Sequence, residues 1–203
     1  MGDPRCAACR LRGGPLCGSC LGSIGAAGAR RPPPGLLRIT CAWDYSGPAR
    51  SVLLALKLSA RRDCAPPMVE ALCGALTARG TAAVLVTWVP TALGSRRRRG
   101  FNHAEVLARG VAAELGLPAE PLLWRAVPAA DQAGLTASQR RTNLSGAFVA
   151  RPAEGTVLVV DDLVTTGATL EACAAALRSA GVEEAEGAAV CSARAPGPGG
   201  PKV

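Results

Sequence analysis

The chain has 203 residues, with 49% hydrophobic and 3% aromatic side chains and a formal net charge of +8. That is enough for one medium domain and a small appendage, with a core built mostly from Ala, Leu and Val. No apolar run approaches the roughly 18 residues of a membrane span, and MGDPRCAAC has no apolar leader, so a cytoplasmic protein with no membrane insertion is expected. The charge fits an anionic partner, nucleic acid or polyphosphate, without choosing between them.

In chain order, residues 1–20 hold four of the nine cysteines. Cys6, Cys9, Cys17 and Cys20 have the spacing C-x2-C-x7-C-x2-C. Two such knuckles let four thiolates converge on one tetrahedral zinc, and Gly13, Gly14 and Pro15 allow the chain to turn back between them. Four thiolates would close the site, so the zinc is expected to be structural and to supply the module's folding free energy. A redox C-x-x-C is the alternative. Cysteines 41, 64, 73, 173 and 191 stand in apolar surroundings and read as small core residues. Residues 21–35, LGSIGAAGARRPPPG, read as a linker from their Gly, Ala and Pro content.

From Leu36 the pattern becomes globular. LLRITCAW reads as a strand and SVLLALKL as a short helix. MVEALCGALTAR is a second helix stopping at Gly80. AAVLVTWVP is a near-continuous apolar run of the kind a buried parallel strand shows. RRRRGFN follows as a loop, and HAEVLARGVAAELG is helical up to Gly116. PLLWRA and GAFVA read as strands around a polar loop at 128–145. TVLVV is a strand, TLEACAAALRSAG a helix ending at Gly181, AEGAAVCSA a last strand, and residues 194–203 a flexible tail. Strands alternating with helices predict an α/β domain over 36–193, with a mostly parallel sheet flanked by helices.

The most informative stretch is VLVVDDLVTTGATL, Val157 to Leu170. It reads as a buried strand that ends in two carboxylates, then a small-residue loop, then a helix. Ligands of open parallel sheets bind beyond the carboxyl ends of the strands. The loop Thr165, Thr166, Gly167, Ala168, Thr169 would offer hydroxyls, a close-approach glycine and helix N-terminal amides to an anion. Asp161 and Asp162, just upstream, could accept hydrogen bonds from two vicinal hydroxyls. A ribose 5-phosphate has both features. No Walker loop or dinucleotide fingerprint is present.

This segment resembles the signature of type I phosphoribosyltransferases. The resemblance implies that Asp161 and Asp162 hold the ribose hydroxyls of phosphoribosyl diphosphate (PRPP) and that Thr165–Thr169 bind its 5-phosphate. YSGPARSVLLALK, VPTALGSRRRRGFNHAEVLA and DQAGLTASQRRTNLSGAF resemble, in order, three segments of the competence protein F (ComF) family, many of whose members carry a four-cysteine zinc module. The chain departs from that family in two places: Thr91-Ala92 stands where its V-P-V-P has the second Val-Pro, and His103 replaces a glutamine. His103, the one histidine, reads as the opening of a helix rather than as a general base.

The resemblance implies a type I phosphoribosyltransferase-like fold with a small zinc-ribbon-like module in 1–35. It implies an enzyme that binds PRPP with Mg2+ and transfers or releases the phosphoribosyl group. An arginine-rich loop suits pyrophosphate, a task that Arg96 to Arg99 fit, and the resemblance to the family's R-x-x-RGFNQ places Arg96 and Arg99 at its arginine positions. Mg2+ would bridge substrate oxygens. Gln132, Arg140, Arg141 and Asn143 would lie on a loop closing over the site. The alternative is a non-enzymatic accessory protein of natural transformation that handles single-stranded DNA. The scarcity of aromatics, three Trp, two Phe and one Tyr, argues against base stacking. The phosphoribosyl acceptor and the oligomeric state are not readable.

Overall fold

A computed structural model describes residues 5–91, 101–126 and 146–193. Four strands form one parallel sheet: β1 (Ile39–Asp44), β2 (Leu85–Trp88), β5 (Thr156–Val164) and β6 (Glu184–Ser192). Their spatial order is β1-β6-β5-β2, so the last strand among the described residues sits inside the sheet. Two short strands, β3 (Leu123–Arg125) and β4 (Phe148–Ala150), pair antiparallel as a separate ribbon. The α/β expectation is met, with PLLWRA and GAFVA outside the main sheet.

Helices cover both faces, as a sheet of apolar strands requires. A short α1 (Gly18–Gly22) lies in the cysteine module. Helices α2 (Gly47–Ser59), α3 (Ala65–Arg79) and α4 (His103–Leu115) pack on one face. Their core joins Leu53, Leu72 and Leu107 to Leu158, Val160 and Val190. Helix α5 (Ala168–Ser179) covers the other face, where Leu170, Cys173 and Leu177 meet Val157 and Val159. The period-2 alternation of β5 thus feeds two separate cores. Of the cysteines read as core, 41, 64, 173 and 191 are buried and 73 is partly buried.

Helix boundaries extend beyond the apolar patterns that announced them. Helix α2 starts four residues before Ser51 because Pro48 sits in its first turn, where the missing N–H costs nothing. Helix α3 starts at Ala65 for the same reason, with Pro66 and Pro67 leading it. Close approach of α3 and α4 depends on Gly110: a Cβ there would stand 2.6 Å from Val69 Cγ2.

The amino ends of the strands carry a structural network. The fully buried Glu186 accepts from Thr81 Oγ1 at 2.7 Å and Ala82 N at 3.1 Å, and pairs with Arg38 Nε at 3.2 Å. Every oxygen of that carboxylate has a partner, as a buried charge requires.

No helix among the described residues is long and apolar enough to cross a membrane. Arg96 and Arg99, the loop residues Gln132, Arg140, Arg141 and Asn143, and the tail 194–203 lie outside the described residues.

Candidate functional site

The strand that carries the aspartates is longer than its apolar run. TVLVV alone reads as strand, but β5 continues through Asp161 and Asp162 to Val164. The pairing holds throughout, with Asp161 opposite Ala189 and Val164 opposite Ser192 on β6. Alternation therefore sends the two carboxylates to opposite faces of the sheet.

Asp162 turns toward α2 and α4 and is only 3% exposed. Lys57 Nζ, from the last turn of α2, lies 2.7 Å from Oδ1. His103 Nε2, from the first residue of α4, lies 2.8 Å from Oδ2. Burial opposes ionisation of this carboxyl. The His103 hydrogen bond and the Lys57 charge outweigh it and hold Asp162 below the usual carboxylate range.

His103 owes its place to its neighbour. Asn102 caps α4 by accepting from Ala104 N at 3.0 Å, accepts from Thr91 Oγ1 at 2.7 Å, and donates through Nδ2 to Val89 O at 3.2 Å. One buried amide thus ties the end of β2 to the start of α4. The expectation that His103 opens a helix is met; its partnership with Asp162 was not foreseen. A lone histidine directly after an N-cap asparagine was the available signal, since that position points into the carboxyl end of the sheet.

Asp161 is in the opposite state. Burial and then the charge of Asp162 push its carboxyl up to about 7, against the Asp162 backbone N–H, which donates to Oδ1 at 2.8 Å. Folding raises this pKa above its unfolded value, so the contribution of Asp161 to stability is fully present below about pH 4 and is lost as pH rises through about 7. Relative to the wild type, Asp161→Asn is expected to gain roughly 2–6 °C in Tm between pH 5 and pH 8, checked by thermal melts across that range.

Behind Asp161, residues 163–170 wrap a recess that it lines together with Thr165, Thr166 and Thr169. Gly167 is the residue before α5, has φ +88° and gives no side-chain cap. A left-handed backbone suits glycine there. Thr166 Oγ1 accepts from Ala168 N at 3.3 Å. The first amides of α5 otherwise have no side-chain cap, which leaves a positive dipole end beside small hydroxyls.

A larger cleft of about 390 Å³ opens on the other side of Asp161. Lys57, Pro90, Thr91, His103, Arg125, Asp161 and Asp162 line it. Arg125 reaches over from the β3–β4 ribbon: Nε donates to Pro90 O at 3.2 Å and the guanidinium lies 5.2 Å from the Phe148 ring centre. Sequence reasoning missed Arg125, which stands at a strand end with no motif around it. The fold brings Asp161, Asp162 and the Thr165–Thr169 loop to one edge.

Cys6, Cys9, Cys17 and Cys20 form a second centre. Their sulfurs all lie within 4.8 Å of one another. Cys9 Sγ and Cys17 Sγ are 3.7 Å apart, far beyond a disulfide bond and close to the edge of a tetrahedral thiolate site. Burial opposes ionisation of Cys6, yet backbone N–H groups of Cys17, Cys9 and Ala8 bring its thiol down to about 6. The donor set fits a soft divalent metal such as zinc. Cys6 and Leu16 join the core of α2 and α3 beside Trp43, so the module is packed on the domain. Cys17→Ser, or excess chelator, is expected to loosen the module and shift Trp43 emission to longer wavelength, with metal content falling from about one per chain toward zero.

Residues 101–198 match the family described as the phosphoribosyl transferase domain. Competence protein F of Haemophilus influenzae is 37% identical over 93 residues, which cover 43% of this chain and 41% of that protein. The alignment thus spans less than half the length of this curated relative. A solved structure, the allosteric regulatory enzyme of purine biosynthesis, overlaps 59% of this chain and 24% of its own at 22% identity, with a TM-score of 0.38.

Proposed function

We propose that this chain, which matches the phosphoribosyl transferase domain over residues 101–198 and resembles competence protein F over part of its length, binds PRPP with Mg2+ at the carboxyl edge of β5 and transfers or releases its phosphoribosyl group. One observation carries the reading: Asp161 lines both the threonine-rich recess and the larger cleft. A ligand reaching from one to the other needs an anion at one end, a hydroxyl donor in the middle and a second group beyond. PRPP has that order: 5-phosphate, ribose diol, pyrophosphate.

In this reading the 5-phosphate sits against Thr165–Thr169 and takes the uncapped amides of α5. The ribose hydroxyls donate to Asp161. Pyrophosphate lies toward Pro90, Thr91 and Arg125, and Arg96 and Arg99, outside the described residues, are proposed as further cations for it from the sequence resemblance. Mg2+ fits through substrate oxygens and water, with Asp161 the available carboxylate, because both oxygens of Asp162 are engaged by Lys57 and His103. Its contribution would be to neutralise the pyrophosphate charge. Lys57 and His103 keep Asp162 ionised, and that fixed negative charge faces the positive charge that develops at the sugar carbon as pyrophosphate departs. No side-chain nucleophile is required.

Calorimetric titration with PRPP tests this. Binding at about micromolar Kd that disappears with EDTA is expected. Absence of binding with Mg2+ present would reject the reading.

The +8 charge and the kinship with a competence protein favour one second reading, the handling of single-stranded DNA. Salt separates the two. Phosphate-driven DNA binding would fall by about 10³-fold or more between 50 and 200 mM salt if six or more phosphates are neutralised. PRPP binding would follow Mg2+ instead.

A further inference from the structure

We infer that Arg30 is a positioning residue for the anion-binding loop 165–169, an inference that rests on the PRPP reading only for the identity of the anion. Residues 21–35 read as a linker by composition, yet much of the segment is held against the domain. Ala27 N donates to Ala42 O at 2.9 Å and Asp44 N to Gly25 O at 2.9 Å, which adds the segment to the free edge of β1. Further on, Leu37 N donates to Ala185 O at 2.9 Å.

Between those anchors Arg30 reaches the carboxyl end of the sheet. Its guanidinium donates to Ser192 Oγ at 2.8 Å, to Ala193 O at 3.0 Å and to Val164 O at 3.3 Å. It also donates to Thr165 O. These acceptors are neutral, so the guanidinium brings a net positive charge to the base of the loop. The fork shape of the group matters, because it spans two strand ends at once.

The peptide plane links this contact to the anion. In a trans peptide the C=O and the following N–H point in opposite directions. Holding Val164 O and Thr165 O against Arg30 therefore turns the amides of Thr165 and Thr166 to the other side of the chain. Pro33 stands beside the same loop: a Cβ built on Gly167 would meet Pro33 Cγ at 3.3 Å. Arg30 thus holds the loop directly, and Pro33, three residues further along the same strap, leaves little room for a side chain at Gly167.

The test compares the wild type with Arg30→Ala and Arg30→Lys. Hydrogen exchange reads the loop without ligand. Calorimetry reads ribose 5-phosphate and inorganic pyrophosphate, each with Mg2+. Arg30→Ala is expected to raise exchange at amides 165–169 about tenfold while those of β2 and α4 stay within about twofold, a local opening rather than a global one. Ribose 5-phosphate affinity is expected to fall about tenfold or more, and pyrophosphate affinity to change less than about twofold. Arg30→Lys keeps the charge but not the fork and is expected to recover only part of the loss. Unchanged loop exchange in Arg30→Ala would overturn the inference, as would an equal loss for both ligands or faster exchange across the whole domain. If the wild type binds neither ligand, the PRPP reading fails, and the exchange comparison alone still decides whether Arg30 holds the loop.

Discussion

Asp161→Asn is expected to weaken PRPP binding about 100-fold, because hydrogen bonds to a charged acceptor contribute roughly 1.5–3 kcal/mol and this carboxylate would take two hydroxyls. The amide keeps the size of the side chain and one acceptor oxygen but removes the charge. The effect should depend on pH in a defined direction. With its carboxyl pushed up to about 7, Asp161 is mostly protonated at pH 6 and mostly ionised at pH 8. Wild-type affinity should therefore rise with pH across that window, approaching about tenfold per unit on its acid side. The asparagine variant should lose that slope. Isothermal titration at pH 6, 7 and 8 for both proteins checks the magnitude and the sign together. A variant that binds as tightly as the wild type would remove Asp161 from the site.

Asp162→Ala acts on the fold. Lys57 and His103 come from two different helices, and their shared partner is this one carboxylate on β5. Removing it leaves an ammonium with 23% of its side-chain surface exposed facing an imidazole across a cavity. Breaking a buried ion pair from one side costs about 3–5 kcal/mol. The partial exposure of Lys57 places the expected loss near the lower bound, about 3 kcal/mol, or roughly 6–12 °C in Tm for a chain of this size. Lys57→Met leaves the carboxylate buried with only His103 and should also destabilise. Pairing Lys57→Met with Asp162→Leu should recover part of the loss, because an apolar pair can replace a buried ionic one at little cost. Denaturant unfolding of the wild type, Lys57→Met, Asp162→Leu and their combination as a double-mutant cycle measures the coupling. An Asp162→Ala protein as stable as the wild type would mean that the three side chains are held by water rather than by one another.

Local pattern carried most of the architecture. Val157–Val160 is a run of apolar residues too short for a helix and too continuous for a half-exposed strand, so its place inside a parallel sheet follows from periodicity. Gly80 and Gly116 end helices where the sequence puts them. The order of the strands was not readable. β6 lies between β1 and β5, and that placement is decided by contacts between residues some 150 positions apart, such as Ile39 with Gly187.

The site shows the same division. The threonine loop was visible because an anion site needs small residues and a helix start, both of which are local. The state of the aspartates was not. Their charges broke the apolar pattern of β5 and suggested that the strand had ended. The strand continues because Asp162 is neutralised by Lys57 and His103, contributed 105 and 59 positions upstream. The strap around Arg30 reads as a linker for a related reason. Gly, Ala and Pro fit a free coil and an ordered one equally well, and Arg30 has its partners 134–163 positions further along the chain.

The central claim is that one ligand spans the threonine loop and the cleft through Asp161. Two-dimensional amide NMR of the 15N-labelled protein during titration with PRPP and Mg2+ tests it most directly. The amides of Thr165, Thr166, Gly167 and Thr169 should shift together with those of Asp161 and Thr91, along one saturation curve that matches calorimetry. Shifts confined to the cysteine module or to the β3–β4 ribbon, with the loop unmoved at saturation, would contradict the claim.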